Sequence, residues 1–285
     1  MAEAAPSTSS SIDPRTTVGT VSLTVSDLER SREFYERVVG LVLTGDGQLG
    51  APERAFLELH GDPAAPPLNR RATGLFHFAI LVPSRADLAR SLHRIADARW
   101  PIDGASDHLV SEALYLSDPD GNGIEIYRDR PREQWPHRDG QLEMATIPLD
   151  LNALLAESSN GSETVPEGTT VGHVHLQVAD LDEAERFYNG VLGFDITVRG
   201  YPGALFASAG GYHHHLGLNT WNSAGASPPP PESIGLRNFE VVLPDQATLD
   251  HTIERVRAAG IEGETVDGGS LVRDPSGNGV LLKVA

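Results

Sequence analysis

The 285-residue chain contains no cysteine. That excludes disulfides, thiolate nucleophiles, Fe–S clusters and thiolate-bound zinc. Basic residues are also scarce, with 22 Lys plus Arg against 40 Asp plus Glu and a formal net charge of −18. A nucleic-acid or anionic-membrane partner needs a basic face, so neither is expected. No run of about 18 apolar residues occurs, so no membrane-spanning helix is expected. Residues 1–17 are rich in Ala, Ser and Pro and lack the basic-then-apolar order of a secretion signal. They are expected to form a disordered tail, and the default location is the cytoplasm.

Apolar residues reach 39%, enough for real cores, and 29 Gly with 20 Pro mark many turns. The length suits two ordinary domains. Any bound metal must be held by carboxylates or by some of the 11 histidines.

The chain repeats itself. VGTVSLTVSDLERSREFYERVVG from Val18 aligns without a gap on VGHVHLQVADLDEAERFYNGVLG from Val171. A second pair relates GLFHFAILVP from Gly74 to GLRNFEVVLP from Gly235, and DPDGNG from Asp118 to DPSGNG from Asp274. The order is therefore unit 1, unit 2, a unit 1-like segment and a unit 2-like segment.

Each unit opens on strand alternation, as at Val21, Leu23 and Val25. Asp27 or Asp180 then offers a helix N-cap, and Gly40 or Gly193 a helix stop. Short strand patterns follow, and the DPxGN turn feeds a last strand such as Ile124–Tyr127. Each unit reads βαβββ. The expected division is an N-terminal domain over 18–130, a polar, Pro-rich linker over 131–168 with a short helix near 148–157, and a C-terminal domain over 169–285.

The four βαβββ units, the DL-x5-FY helix and the DPxGN turn resemble the vicinal oxygen chelate superfamily of glyoxalases, bleomycin resistance proteins and extradiol dioxygenases. Within it, GLFHFAILVP, SEALYLSDPDGNGIEIYRDRP, VGHVHLQV and GGYHHHLGLNTW resemble the two-domain bacterial catechol 2,3-dioxygenases. The resemblance implies an α+β fold, with the four units paired into two open, incomplete β-barrels and the helices outside.

It also points to the ligand slots on first and last strands. Those slots hold Thr20, His77, His173 and Asn238, with Glu125 and Leu281 on the last strands of units 2 and 4. Only His77, Glu125 and His173 are competent, and two imidazoles with one carboxylate form the facial set of non-haem Fe(II). Mn(II) accepts the same donors. Because these residues belong to units 2 and 3, those units must pair across one site, leaving units 1 and 4 as a metal-free counterpart. Familiar extradiol enzymes of the superfamily keep their ligands in the second half of the chain instead.

Glu58 is a rival carboxylate and His175 a rival imidazole. Glu58 lacks a histidine partner on Thr20 and is expected to be solvated; His175 is expected to lie beside the metal or to face substrate. Among His213, His214 and His215, expected in a strand, the resemblance makes His214 the acid–base group; the other two read as a surface cluster. It places Tyr115 in the active site and His108 beside it. His60, His93, His137 and His251 receive no role.

The implied activity is cleavage of catechol, or a substituted catechol, by O2 to a 2-hydroxymuconic semialdehyde. A glyoxalase-like metal-dependent isomerase or epimerase, and a metal-free protein that binds aromatic ligands, are the alternatives. The family commonly forms homo-oligomers, although no segment here marks an interface.

Overall fold

The computed structural model describes residues 11–45, 47–138, 140–266 and 268–285. Unit 1 runs β1 (Thr17–Val25), α1 (Leu28–Phe34), β2 (Val42–Gly45), β3 (Gln48–Ala51) and β4 (Arg54–Gly61). Unit 2 runs β5 (Gly74–Leu81), α2 (Arg85–Asp97), β6 (Gly104–Asp107), β7 (Ser111–Ser117) and β8 (Gly123–Asp129). A connecting segment carries β9 (His137–Arg138), β10 (Gln141–Leu142), β11 (Ile147–Pro148) and α3 (Leu151–Leu155). Unit 3 comprises β12 (Thr170–Gln177), α4 (Leu181–Glu185), β13 (Asp195–Val198), β14 (Ala204–Ser208) and β15 (Leu216–Asn219). Unit 4 comprises β16 (Gly235–Leu243), α5 (Gln246–Ala258), β17 (Glu264–Val266), β18 (Gly269–Arg273) and β19 (Gly279–Val284).

Asp27 caps α1 by accepting from the Arg30 N–H, and Asp180 caps α4 by accepting from the Glu183 N–H. Both helices continue as π-helical turns, Tyr35–Val39 and Arg186–Val191. The wider turn swings Tyr35 and Tyr188 fully into the core.

Two sheets result. One has eight strands, ordered β17-β18-β19-β16-β1-β4-β3-β2; the other has nine, ordered β11-β6-β7-β8-β5-β12-β15-β14-β13. Unit 1 thus joins unit 4 through antiparallel β1 and β16, and unit 2 joins unit 3 through antiparallel β5 and β12. This is the pairing that the ligand inventory demanded. The sheets do not follow the expected division into 18–130 and 169–285, because each takes one unit from either half of the chain.

The repeated motifs explain how the halves are tied together. Asp118 of the DPDGNG turn accepts from the backbone N–H of Asp120 and Asn122 and from the Asn122 amide. It also accepts from Tyr35 Oη at 3.1 Å. Asp274 repeats the set with Ser276, Asn278 and Tyr188, the last at 2.9 Å. The FY motif of one unit therefore bonds the DP turn of the next, linking 1 to 2 and 3 to 4 while the sheets link 1 to 4 and 2 to 3. The core fills the space between, with Leu23, Val25, Phe78, Ile80, Val174, Leu176, Phe239 and Val241 all fully enclosed.

Two expectations need correction. Residues 1–10 of the expected tail lie outside the described residues, but Ile12 is buried and its N–H donates to the Gly193 carbonyl. The expected linker is structured: Trp135, Leu154 and Val165 are buried, and β11 pairs with β6 at the edge of the nine-stranded sheet. An apolar side chain every few residues gives this polar segment enough burial to offset its ordering.

Candidate metal centre

The concave face of the nine-stranded sheet encloses a cavity of about 650 Å³. His77 stands on β5, Glu125 on β8 and His173 on β12. Parallel pairing of β5 with β8 and antiparallel pairing of β5 with β12 put all three on adjacent strands. Their ligand atoms lie within 4.8 Å of one another. Glu125 Oε2 is 2.9 Å from His77 Nε2 and 3.2 Å from His173 Nε2. All three side chains are buried.

Two imidazole nitrogens and a carboxylate oxygen turned toward one point make a donor set that suits Fe(II) or Mn(II). The hydrogen bonding is incomplete, which supports this fit. His77 Nε2 is sealed from water and, among the described residues, makes no hydrogen bond, although Glu125 Oε2 lies 2.9 Å away. A buried nitrogen of this kind needs a partner, and a cation at the point of convergence would supply one. Burial lowers the His173 pKa to about 4, so its ring is a neutral ligand at pH 7. Burial alone would raise the Glu125 pKa, but His173 and His77 hold it well below the usual carboxylate range.

The structure also brings together the other expected groups. Tyr115 on β7 lies directly across from Glu125 in the β7–β8 register. Its hydroxyl is 2.6 Å from His108 Nε2, and His108 Nδ1 lies 2.7 Å from the Ala145 carbonyl. The carbonyl can only accept, so Nδ1 carries a hydrogen, and the tautomer bearing it there accepts at Nε2 from Tyr115. The Tyr115 oxygen thereby keeps its lone pairs for the cavity. His214 lines the cavity, with its ring centroid 4.1 Å from that of His173.

His175 faces His77 across the β5–β12 pair, is buried, and leaves Nε2 without a hydrogen bond. Gly217 makes room for it, since a Cβ there would sit 2.8 Å from the His175 ring. Glu58 stays half exposed beside His60, away from the cavity. At the counterpart position, between units 1 and 4, Glu240 accepts from the Thr20 N–H and pairs with Lys283 at 3.1 Å. A partly exposed ion pair therefore lies on the β16–β19 pair of the other sheet, two residues along from Asn238 and Leu281.

The expected strand and surface cluster at His213–His215 is corrected. The run sits in an irregular turn before β15, and the three residues are 0%, 6% and 8% exposed. Gly210 and Gly211, both with positive φ, bend the chain inward there instead of continuing a strand. Sequence reasoning also missed the cavity walls formed by Met144–Thr146 of the connecting segment, by Tyr201 and by Trp221. The linker-like composition around Met144–Thr146 hid its role; the aromatic character of Tyr201 and Trp221 was the available signal.

Four βαβββ units around a buried two-histidine, one-carboxylate cluster define the class. A family model described as the Glyoxalase/Bleomycin resistance protein/Dioxygenase superfamily matches residues 17–126 and 170–282, and the chain belongs to that superfamily. The chain is 46% identical over 280 residues to catechol-2,3-dioxygenase of Bacillus subtilis strain 168, covering 93% of this chain and 96% of that protein. Among solved structures, a Bacillus subtilis protein superposes with a TM-score of 0.64 at 13% identity, over 96% of this chain and 86% of that one. Glyoxalase I of Zea mays superposes with a TM-score of 0.57 at 16% identity, over 94% and 92%. The two superpositions establish the fold.

Proposed function

We propose that the protein is an extradiol ring-cleaving dioxygenase that opens catechol or a substituted catechol with O2 to a 2-hydroxymuconic semialdehyde. The observation that carries this reading is the convergence of His77, Glu125 and His173 at one buried point. The 46% identity to a catechol-2,3-dioxygenase supports the same reaction class.

His77, Glu125 and His173 would hold a non-haem Fe(II), which Mn(II) could replace. The chemistry supplied by the bound metal is chelation of both catechol oxygens, a lowered hydroxyl pKa, and a place for dioxygen beside the ring. The remaining work falls to the chain. Burial holds His214 well below the usual imidazole pKa, so the free enzyme presents a neutral base to the cavity. His214 takes the proton of one catechol hydroxyl and returns it later in the cycle. The Tyr115 oxygen, its hydrogen committed to His108, accepts from the other hydroxyl and orients the ring. Phe76, Phe206 and Trp221 line the cavity with apolar surface that excludes water and suits an aromatic ring.

The test reconstitutes the full-length chain anaerobically with Fe(II), then adds catechols and oxygen. A yellow ring-fission product with matching oxygen consumption is expected. Turnover without oxygen uptake would favour a glyoxalase-like isomerase. Tight catechol binding with no stoichiometric metal and no product would favour an aromatic-ligand binding protein.

A further inference from the structure

The mechanism above leaves His213 idle, yet it is the most enclosed of its run, at 0% exposure. Its Nε2 is 2.8 Å from Asp129 Oδ1, and its Nδ1 is 2.8 Å from His214 Nδ1. Asp129 Oδ2 accepts from Tyr212 Oη at 2.9 Å, and Tyr212 Oη lies 2.7 Å from Tyr127 Oη. A continuous chain thus runs from Asp129 at the end of β8, through His213, to His214 on the cavity wall.

The direction of hydrogens along this chain follows from chemistry. A carboxylate can only accept, so His213 carries hydrogen on Nε2. The tautomer of His213 with its hydrogen on Nε2 has a bare Nδ1. Two nitrogens facing each other at 2.8 Å need one hydrogen between them, and His214 Nδ1 must supply it. That leaves His214 Nε2 bare. Among the described residues Nε2 has no hydrogen-bond partner, and it is not sealed from solvent.

We infer that Asp129 and His213 are positioning residues that lock His214 into one ring orientation and one tautomer, with a hydrogen-free Nε2 offered to a catechol hydroxyl. The inference rests on the reading of His214 as the proton-handling group. Its logic is that of an orienting carboxylate behind a functional histidine, extended by one imidazole.

His213 also packs against Tyr212 and Trp135, at centroid distances of 4.0 and 5.3 Å. A packing role and a positioning role make opposite predictions for two variants. His213→Phe keeps an aromatic ring but neither donates nor accepts. His213→Gln loses the ring, yet its amide N–H can donate to Asp129 while its carbonyl accepts from His214 Nδ1.

The readouts are the imidazole 15N shifts of the metal-free, full-length chain, together with kcat, KM and iron content of the iron-loaded enzyme. In the wild type, His214 Nδ1 is expected at a pyrrole-type shift and Nε2 at a pyridine-type shift. In His213→Phe the two should average as tautomers exchange. Its kcat should fall about 10- to 100-fold, with KM and iron content unchanged. His213→Gln should restore the fixed tautomer and most of kcat. Should His213→Phe fail to fold, Asp129→Ala removes the terminal acceptor and should show the same shifts and the same loss. A wild-type His214 protonated on Nε2, or a His213→Phe enzyme with wild-type shifts and kcat, overturns the proposal. Separately, full turnover by His214→Phe would remove the acid–base reading, while the nitrogen shifts would still report on the hydrogen-bond chain.

Discussion

Glu125 is the residue on which the candidate metal centre turns. It supplies the charge of the donor set and is the shared neighbour of both imidazole nitrogens. Glu125→Ala should abolish stoichiometric iron and activity together while leaving the fold intact, since the change creates space on a cavity wall. Elemental analysis beside circular dichroism checks this, and retained iron would remove Glu125 from the ligand set. His215 carries a different expectation. Its Nδ1 accepts the Ala209 N–H at 3.1 Å, and burial lowers its pKa to about 3. The unfolded ring titrates near the ordinary value of about 6.5, so between those values the unfolded state binds the extra proton. Stability from this residue is therefore present above pH 6.5 and is lost as pH falls toward 3. Between pH 6 and 4, the unfolding free energy of the wild type should fall faster than that of His215→Gln, by up to about 1.4 kcal/mol per pH unit. Urea titrations across that range measure the difference.

The elements were legible where local chemistry and tertiary demand agree. Asp27 and Asp180 cap helices as their positions suggested, because a short side-chain acceptor before an apolar periodicity has few other uses. The convergence of His77, Glu125 and His173 was readable because the family resemblance marks equivalent strand slots that could be compared donor by donor. His213 escaped because alternation assumes a strand, whereas Gly210 and Gly211 turn the chain before β15. Asp129 gave no signal at all: a carboxylate at a strand end looks solvated until its partner, 84 residues away, is known. The FY and DPxGN motifs were recognised as repeats, but the bond joining them spans two units and only the structure reveals it. Tyr35→Phe tests that bond. It deprives the buried Asp118 of one donor and should cost about 1–3 kcal/mol in urea unfolding, leaving the metal content unchanged. A cost below a few tenths of a kcal/mol would show that the Asn122 contacts suffice.

For the whole molecule, the dominant electrostatic fact is the −18 charge. Like charges spread over one compact body repel, and salt shortens the reach of that repulsion from about 30 Å at 0.01 M to about 8 Å at 0.15 M. The melting temperature should therefore rise as sodium chloride is added over this range. A flat or falling trend would mean that surface pairs such as Arg199 with Glu185 outweigh the net charge.

The seam between β5 and β12 carries a last consequence. His77 and Glu125 come from the first half of the polypeptide, and His173 from the second. Severed within the stretch joining the halves, neither fragment would own a full coordination shell. Co-expressed fragments should regain iron only by docking edge to edge, so metal uptake would serve as a gauge of complementation.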